Sequence, residues 1–338
     1  MSDAFRHVDA ARTIVFGPDA LAAAEDVLGE GYTLLSTPRA ATTAGGVVDR
    51  AAAIIDVPAG QVDAVAAQLR EHVTGTRLVA LGGGRVIDVA KALAAADPPR
   101  EVVAIPTSLS GAEMTGVHRH AQGVPADTAR VRPDAVINDP ALSASLPADA
   151  LAAGSANALA HATVGLLSDR ATPIGRAVAR EAITQLVTGW SQRDPDPDRP
   201  ALALGALLAG WAVDHSGLGP HHALAQTAAR VAQLAHARAN AALLPATITV
   251  LRARRPEAFE QLDRQLGVTL EAVATDLRAR AGADSLGSIT TDEDVLERAV
   301  HAALKRPELA RVAPRPDATE LRAVYRKAAA CPGEASGR

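Results

Sequence analysis

The stretch Leu78-Val-Ala-Leu-Gly-Gly-Gly-Arg-Val-Ile-Asp-Val-Ala-Lys-Ala92 constrains this chain more than any other, because an apolar run stops at three consecutive glycines and restarts with helical spacing. It reads as a strand, a phosphate-binding loop and a helix. Gly82, Gly83 and Gly84 carry no Cβ, so the backbone can turn sharply and bring its N–H groups close to an anion. The helix behind them aims its unpaired N–H groups and the positive end of its dipole at the same point. A pyrophosphate fits such a place. The run is neither the six-residue GxGxxG fingerprint nor a Walker loop, and three glycines also serve simply to join a strand to a helix.

The flanking segments repeat the alternation. Residues 12–16, 32–35, 52–57, 102–106 and 136–138 read as strands, and residues 19–28 and 61–72 as helices. Near-continuous apolar strands alternating with helices imply a parallel sheet covered on both faces, which makes residues 1–145 an α/β dinucleotide-binding domain. From Leu146 onward strand-like runs vanish. Alanine-rich helical stretches follow at about 149–168, 172–191, 200–215, 219–234, 238–253 and 256–265, so residues 146–338 are expected to form an all-helical domain. The charged, proline-rich segment 191–200 reads as a turn inside it.

Composition removes several classes of function. Aromatics are 2% of the residues and the formal charge is −4, which argues against stacking on bases or neutralising phosphates and so against a nucleic-acid partner. Cys331 is the only cysteine, so no internal disulfide and no thiolate metal cluster can form. The first residues lack an apolar signal core and the longest apolar run, 201–213, is too short for a bilayer. A cytoplasmic protein without a membrane partner is expected.

The glycine segment, with Asp88 and Lys91 three apart on its helix, is followed by Val102-Val-Ala-Ile-Pro-Thr-Ser-Leu-Ser-Gly-Ala-Glu-Met-Thr115. This pair resembles the iron-containing alcohol dehydrogenase superfamily, whose signature is GGGS-x-x-D-x-A-K-A followed by P-T-x-x-x-[SG]-[SG]-E-x-T. Ile14-Val-Phe-Gly-Pro-Asp-Ala-Leu21 and Leu34-Leu-Ser-Thr-Pro38 look most like its maleylacetate reductase branch. The resemblance implies the two-domain fold of that superfamily, shared with dehydroquinate synthase: a Rossmann-like parallel sheet followed by an all-α catalytic domain. It implies NAD(P)H as cofactor, held by Gly82, Gly83, Gly84, Arg85, Asp88 and Lys91, by the hydroxyls of Thr107, Ser108, Ser110 and Thr115, and by Ser36, Thr37 and Pro38. Without it, Ser36 and Thr37 would read as a turn and a helix cap.

In metal-dependent members, an Asp and a His four apart plus two later His hold iron or zinc in the cleft between domains. The matching positions here are Asn157, His161, His222 and His236. Three imidazoles can hold zinc with an open fourth position, but Asn offers only a carbonyl dipole where Asp offers a charge. The resemblance to the maleylacetate branch therefore implies a degenerate, metal-independent site. Two further positions depart from the family. Gln226 stands where a second His follows His222, and Arg85 stands where the glycine loop usually has Ser. Ala223 replaces a Lys common in maleylacetate reductases.

The expected activity is reduction of a carbonyl, or of a C=C conjugated to one, in a small oxo-acid, with catalytic candidates His161, His222, His221, Asn157, His236 and Gln226. Protonated imidazole is expected to meet the developing negative charge. Cations for an anionic substrate are sought among His118, Arg119 and Arg132, in a basic cluster with His120 and Arg130 that reads first as a solvated loop. A homodimer is implied. The alternatives are a non-redox lyase or cyclase on the same scaffold and a catalytically inactive binding partner.

Overall fold

The computed structural model describes residues 4–9, 12–190 and 196–329. Cys331 and positions 191–195 of the expected turn lie outside these. Seven strands, β1 (Phe5–Asp9), β2 (Arg12–Phe16), β3 (Tyr32–Ser36), β4 (Ala51–Asp56), β5 (Arg77–Gly82), β6 (Glu101–Pro106) and β7 (Ala135–Asn138), form one sheet in the order β1-β2-β7-β6-β5-β3-β4. Every neighbouring pair is parallel except β1 with β2.

The strand before the glycines lies inside this sheet, and its alternation shows why the run is apolar throughout. Leu78 and Ala80 enter one core with Val65, Leu69, Ile87 and Leu93. Val79 and Leu81 enter the other with Leu34, Val103, Ile105 and Ile137. Both faces are thus buried, and each large aliphatic side chain contributes about 1.5–3 kcal/mol on leaving water. The connection from β3 to β4 places Ala40, Ala44 and Val47 on the second core, whereas the helix Gly84–Ala96 after β5 packs on the first. Adjacent strands β3 and β5 therefore send their chains to opposite faces. That opens a crevice at their carboxyl ends, where doubly wound sheets bind ligands.

Contacts divide the chain into two compact units, Met1–Leu146 with Gly189–Asp214, and Pro147–Thr188 with His215–Arg338. A single division after residue 145 differs from this by one segment. Within the first unit the loop after β6 explains the difference: a Cβ on Gly210 would lie 2.9 Å from Met114 Cβ and 3.1 Å from Gly111 Cα. Only glycine at 210 admits so close an approach between helix Arg199–Ser216 and that loop.

Two other local expectations change. The strand Phe5–Asp9 was not anticipated, because its residues are largely exposed and lack an apolar alternation. The helix expected over 19–28 is two short helices, Ala20–Ala23 and Glu25–Leu28, interrupted at Ala24.

The second unit is helical. Helices Ala148–Leu167, Pro220–Val231, His236–Arg254 and Leu270–Arg280 supply most of its core, with Leu151, Leu159, Leu224, Leu243 and Leu277 at most 2% exposed. Helix Ala148–Leu167, at 20 residues and a mean hydropathy of 1.3, is long and apolar enough to cross a membrane, unlike the run 201–213. With 83% of that window buried inside the protein, its apolarity is that of a core helix.

Candidate active site

The glycine segment folds as its sequence suggests. Gly83 caps the helix Gly84–Ala96, whose Val86 and Ile87 N–H groups bond back to Gly83 O at 3.0 and 3.3 Å. The N–H groups of Gly84 and Arg85 take no such partner among the described residues, as the first turn of a helix requires. Space is tight on the other side. A Cβ on Gly83 would lie 3.1 Å from Ser108 Oγ, and one on Gly84 2.9 Å from Ser110 Cβ. The loop therefore presents bare backbone beside two seryl side chains, and the register places it next to β3, with Ser36 opposite Leu81 and Gly82 opposite Pro106. Arg85 is exposed and makes no ion pair among the described residues.

Several expected cofactor ligands have other work. Lys91 is fully buried and its Nζ donates to the carbonyls of Ala112, Thr115 and Val117 at 2.8, 3.0 and 3.0 Å, with Asp88 Oδ1 at 2.8 Å. It ties the 112–117 loop to the helix. Thr115 is held by this clamp, and burial raises the pKa of Asp88 against the pull of Lys91. Ser36 is buried and donates to Leu81 O at 2.8 Å, while Thr37 accepts from Ala40 N–H at 3.3 Å as a helix cap before Pro38. The cap reading of the sequence describes Thr37. Thr107 is buried, and its backbone N–H bonds Gly82 O at 3.0 Å. Ser108 and Ser110 remain at the loop surface, half-buried.

Three members of the basic cluster have partners of their own. His118 Nε2 accepts from Val131 N–H at 3.0 Å, so its Nδ1–H donates to Arg119 O, also at 3.0 Å. Burial pushes its pKa down to about 4, which leaves a neutral structural bridge. Arg132 Nε donates to the buried Asp214 at 2.6 Å, and that carboxylate also receives Gly116 N–H at 2.9 Å. Arg119 lies 3.7 Å from Asp63, and His120 stacks edge-on against His118.

In the second unit three imidazoles meet. His161 comes from helix Ala148–Leu167, one turn after Asn157, His222 from helix Pro220–Val231 and His236 from the first position of helix His236–Arg254. Ring centroids are 5.9 Å apart for His161 and His222 and 5.7 Å for His222 and His236. His161 Nε2 and both ring nitrogens of His222 are buried without a hydrogen-bond partner among the described residues. Burial pushes His161 down to about 4 and His222 well below the usual imidazole range, each with like-charge repulsion from its neighbours added. Desolvation also lowers His236, although it keeps an exposed edge. Each shift favours the neutral ring, which carries one donor and one acceptor nitrogen.

His221 does not join them. Thr247 Oγ1 donates to Leu243 O at 2.9 Å, so His221 Nδ1–H, 3.1 Å away, donates to Thr247 Oγ1. Burial pushes it to about 3, and it acts as a tie between two helices. Gln226, one turn after His222 on the same face, accepts at Oε1 from Arg306 Nη2 at 2.8 Å. Arg306 escaped the sequence reading because it stands 80 residues away with no motif around it.

Comparison with known proteins places these elements. The model of the iron-containing alcohol dehydrogenase family matches residues 11–140, and that of the C-terminal part of the Fe-containing alcohol dehydrogenase family matches residues 151–315. Maleylacetate reductase of Sphingobium indicum is 32% identical over 316 residues, 87% of this chain and 89% of that protein. The chain belongs to the iron-containing alcohol dehydrogenase family. Maleylacetate reductase 1 of Rhodococcus opacus is 33% identical over 75% of this chain and 73% of its own. Among solved structures, the maleylacetate reductase of Agrobacterium tumefaciens superposes with a TM-score of 0.80 at 28% identity, covering 97% of this chain and 98% of that one. This member of the iron-containing alcohol dehydrogenase family is an NAD(P)-dependent oxidoreductase.

The family implies two bound groups, and the residues answer differently. The glycine cradle suits a dinucleotide, since the first helical N–H groups of Gly84 and Arg85 have no backbone partner among the described residues and glycine is needed at 83 and 84 to pass Ser108 and Ser110. For a divalent cation, the family's metal positions carry His161, His222 and His236 with the neutral Asn157. Among the described residues no group of three or more His, Cys, Asp or Glu is arranged to hold one, and Asn157 brings no charge to offset it.

Proposed function

We propose that this protein is a metal-independent reductase of a small oxo-acid, similar in activity to maleylacetate reductases, acting on a carbonyl or on a C=C conjugated to one. The observation that carries the cofactor part is the packing of Gly83 and Gly84 against Ser108 and Ser110. It leaves the N–H groups of Gly84 and Arg85 for the diphosphate. Bound there, a reduced nicotinamide supplies the hydride.

The chain's own residues handle the oxygen of the substrate. His161 and His222 offer neutral N–H groups that hydrogen-bond a carbonyl oxygen as negative charge grows on it. The same burial that empties these rings of protons makes a carboxylate placed beside them a strong counter-charge, so an anionic substrate raises their affinity for a proton. His222, with both nitrogens unpartnered, is the ring best disposed to take that proton and pass it to the nascent alkoxide or enolate. Asn157 contributes a neutral amide to the same helix face, and His236 closes the third side. The reading also takes the protein as a cytoplasmic homodimer. The free outer edge of β1, with Val8 63% exposed, is the surface that supports pairing between subunits.

The test is a titration of purified, metal-analysed protein with NADH and with NADPH, followed by nicotinamide fluorescence, then NADH oxidation with short unsaturated oxo-acids. Saturable binding and turnover at substoichiometric metal are expected. Failure to bind either nucleotide would remove the reading, and activity that tracks added zinc or iron would remove its metal-independent part.

A further inference from the structure

Gln226 is held in one polarity. Arg306 Nη2 donates to its Oε1 at 2.8 Å, and a guanidinium has donors only, so the amide atom facing Arg306 is oxygen whichever way an amide is usually assigned. Arg306 is itself fixed by Glu308, with Nη2 to Oε1 at 2.6 Å and Nε to Oε2 at 3.1 Å. This fork-to-fork pair lies at the start of the short helix Pro307–Arg311 and is only about one-quarter exposed. On the other side of the amide, Gln226 Nε2 makes no hydrogen bond among the described residues. The half-buried Gln226 therefore presents its two N–H groups, with its oxygen turned to Arg306, on the helix face it shares with His222.

We infer that Gln226 is a fixed hydrogen-bond donor to an oxygen of the substrate, a carboxylate or carbonyl oxygen, and that Arg306, anchored by Glu308, is the positioning residue that sets its polarity. The inference rests on the reductase reading. With its oxygen turned to Arg306, the amide sends its N–H groups outward, so the site favours substrates that bring an acceptor there. A hydroxyl that must donate is disfavoured. The arrangement also supplies hydrogen-bond donors for an anion without adding a positive charge.

Two isosteric replacements separate this from a merely structural role. Gln226→Glu keeps an acceptor for Arg306, and strengthens that contact, but removes the donor and adds like charge toward an anionic substrate. Gln226→Met removes both. A structural role predicts that the Glu variant behaves as the unsubstituted protein and only the Met variant suffers. The donor role predicts that both raise KM for the oxo-acid, by about 10- to 100-fold, with KM for NADH and the thermal midpoint of the Glu variant unchanged or higher. Arg306→Lys, which still donates, should retain most of the affinity, whereas Arg306→Met should lose it. If the unsubstituted protein oxidises NADH with an oxo-acid and Gln226→Glu leaves KM unchanged, the assignment of Gln226 is wrong while the reductase reading stands. If the unsubstituted protein transfers no hydride at all, both fall together.

Discussion

Replacing Lys91 by Met is the sharpest test of how the first unit is built. The side chain is fully buried, and three carbonyls, of Ala112, Thr115 and Val117, take its three ammonium hydrogens, with Asp88 alongside. Met matches its length and packs equally well. What is lost is every donor to those oxygens, together with the charge partner of Asp88. Removing one member of a buried, hydrogen-bonded charged set costs about 3–5 kcal/mol, because the acceptors stay desolvated without a partner. In a unit of this size each kcal/mol moves the midpoint by about 2–4 °C, so the fall should be about 6–20 °C. Asp88→Asn, which keeps the carbonyl contacts, should cost much less, about 1 kcal/mol. Differential scanning calorimetry and urea denaturation measure both. A Met variant within about 1 kcal/mol of the unsubstituted protein, but with NADH affinity lost, would mean that Lys91 serves the nucleotide as the family resemblance first suggested, and the clamp would be refuted.

Other perturbations address separate links. Gly83→Val should weaken NADH binding about 100-fold by pushing on Ser108 while leaving circular dichroism unchanged, and unaltered affinity would show that the nucleotide does not use this loop. Glu113, 1% exposed, has its pKa pushed up by burial to about 7. A carboxyl raised above its unfolded value stabilises the fold at low pH and loses that contribution as pH climbs toward and past 7. Glu113→Gln should therefore gain about 3 kcal/mol over the unsubstituted protein at pH 8 and nothing at pH 4, a difference that urea midpoints at the two pH values would reveal. Asn157→Asp restores a charge beside His161 and should raise zinc affinity at least about tenfold; calorimetric titration showing no gain would mean that the three rings do not converge on one ion.

The sequence made the sheet legible where chemistry and position coincide. The apolar run ending in Gly82, Gly83 and Gly84 could only be a buried strand meeting a tight loop, and His161, His222 and His236 lie where their helical spacing and the family pattern put them. Roles played through backbone were not legible. Nothing in the identities of Ala112, Thr115 or Val117 marks their carbonyls as the partners of Lys91, and the same blindness hid Arg306 behind a separation of 80 residues. Ionisation was misjudged for a related reason. A histidine's letter carries its solution pKa, whereas the enclosure that empties His161 and His222 exists only once three helices have closed around them. The alanine-rich texture of 199–214 is likewise the same whether a helix packs beside a sheet or in a bundle, so its membership in the first unit rested on Gly111, Met114 and Gly210 meeting.

That membership bears on how the protein is made. During synthesis the residues of 147–188, which belong to the other unit, leave the ribosome before the helix that completes the first. Until Asp214 emerges, Gly116 N–H and Arg132 lack the carboxylate that pins them, and the side of Met114 that faces Gly210 is uncovered. A nascent chain ending near residue 146 thus carries every strand of the sheet but lacks the part of the first unit supplied by residues 189–214. Its maturation waits on a segment encoded some forty codons downstream.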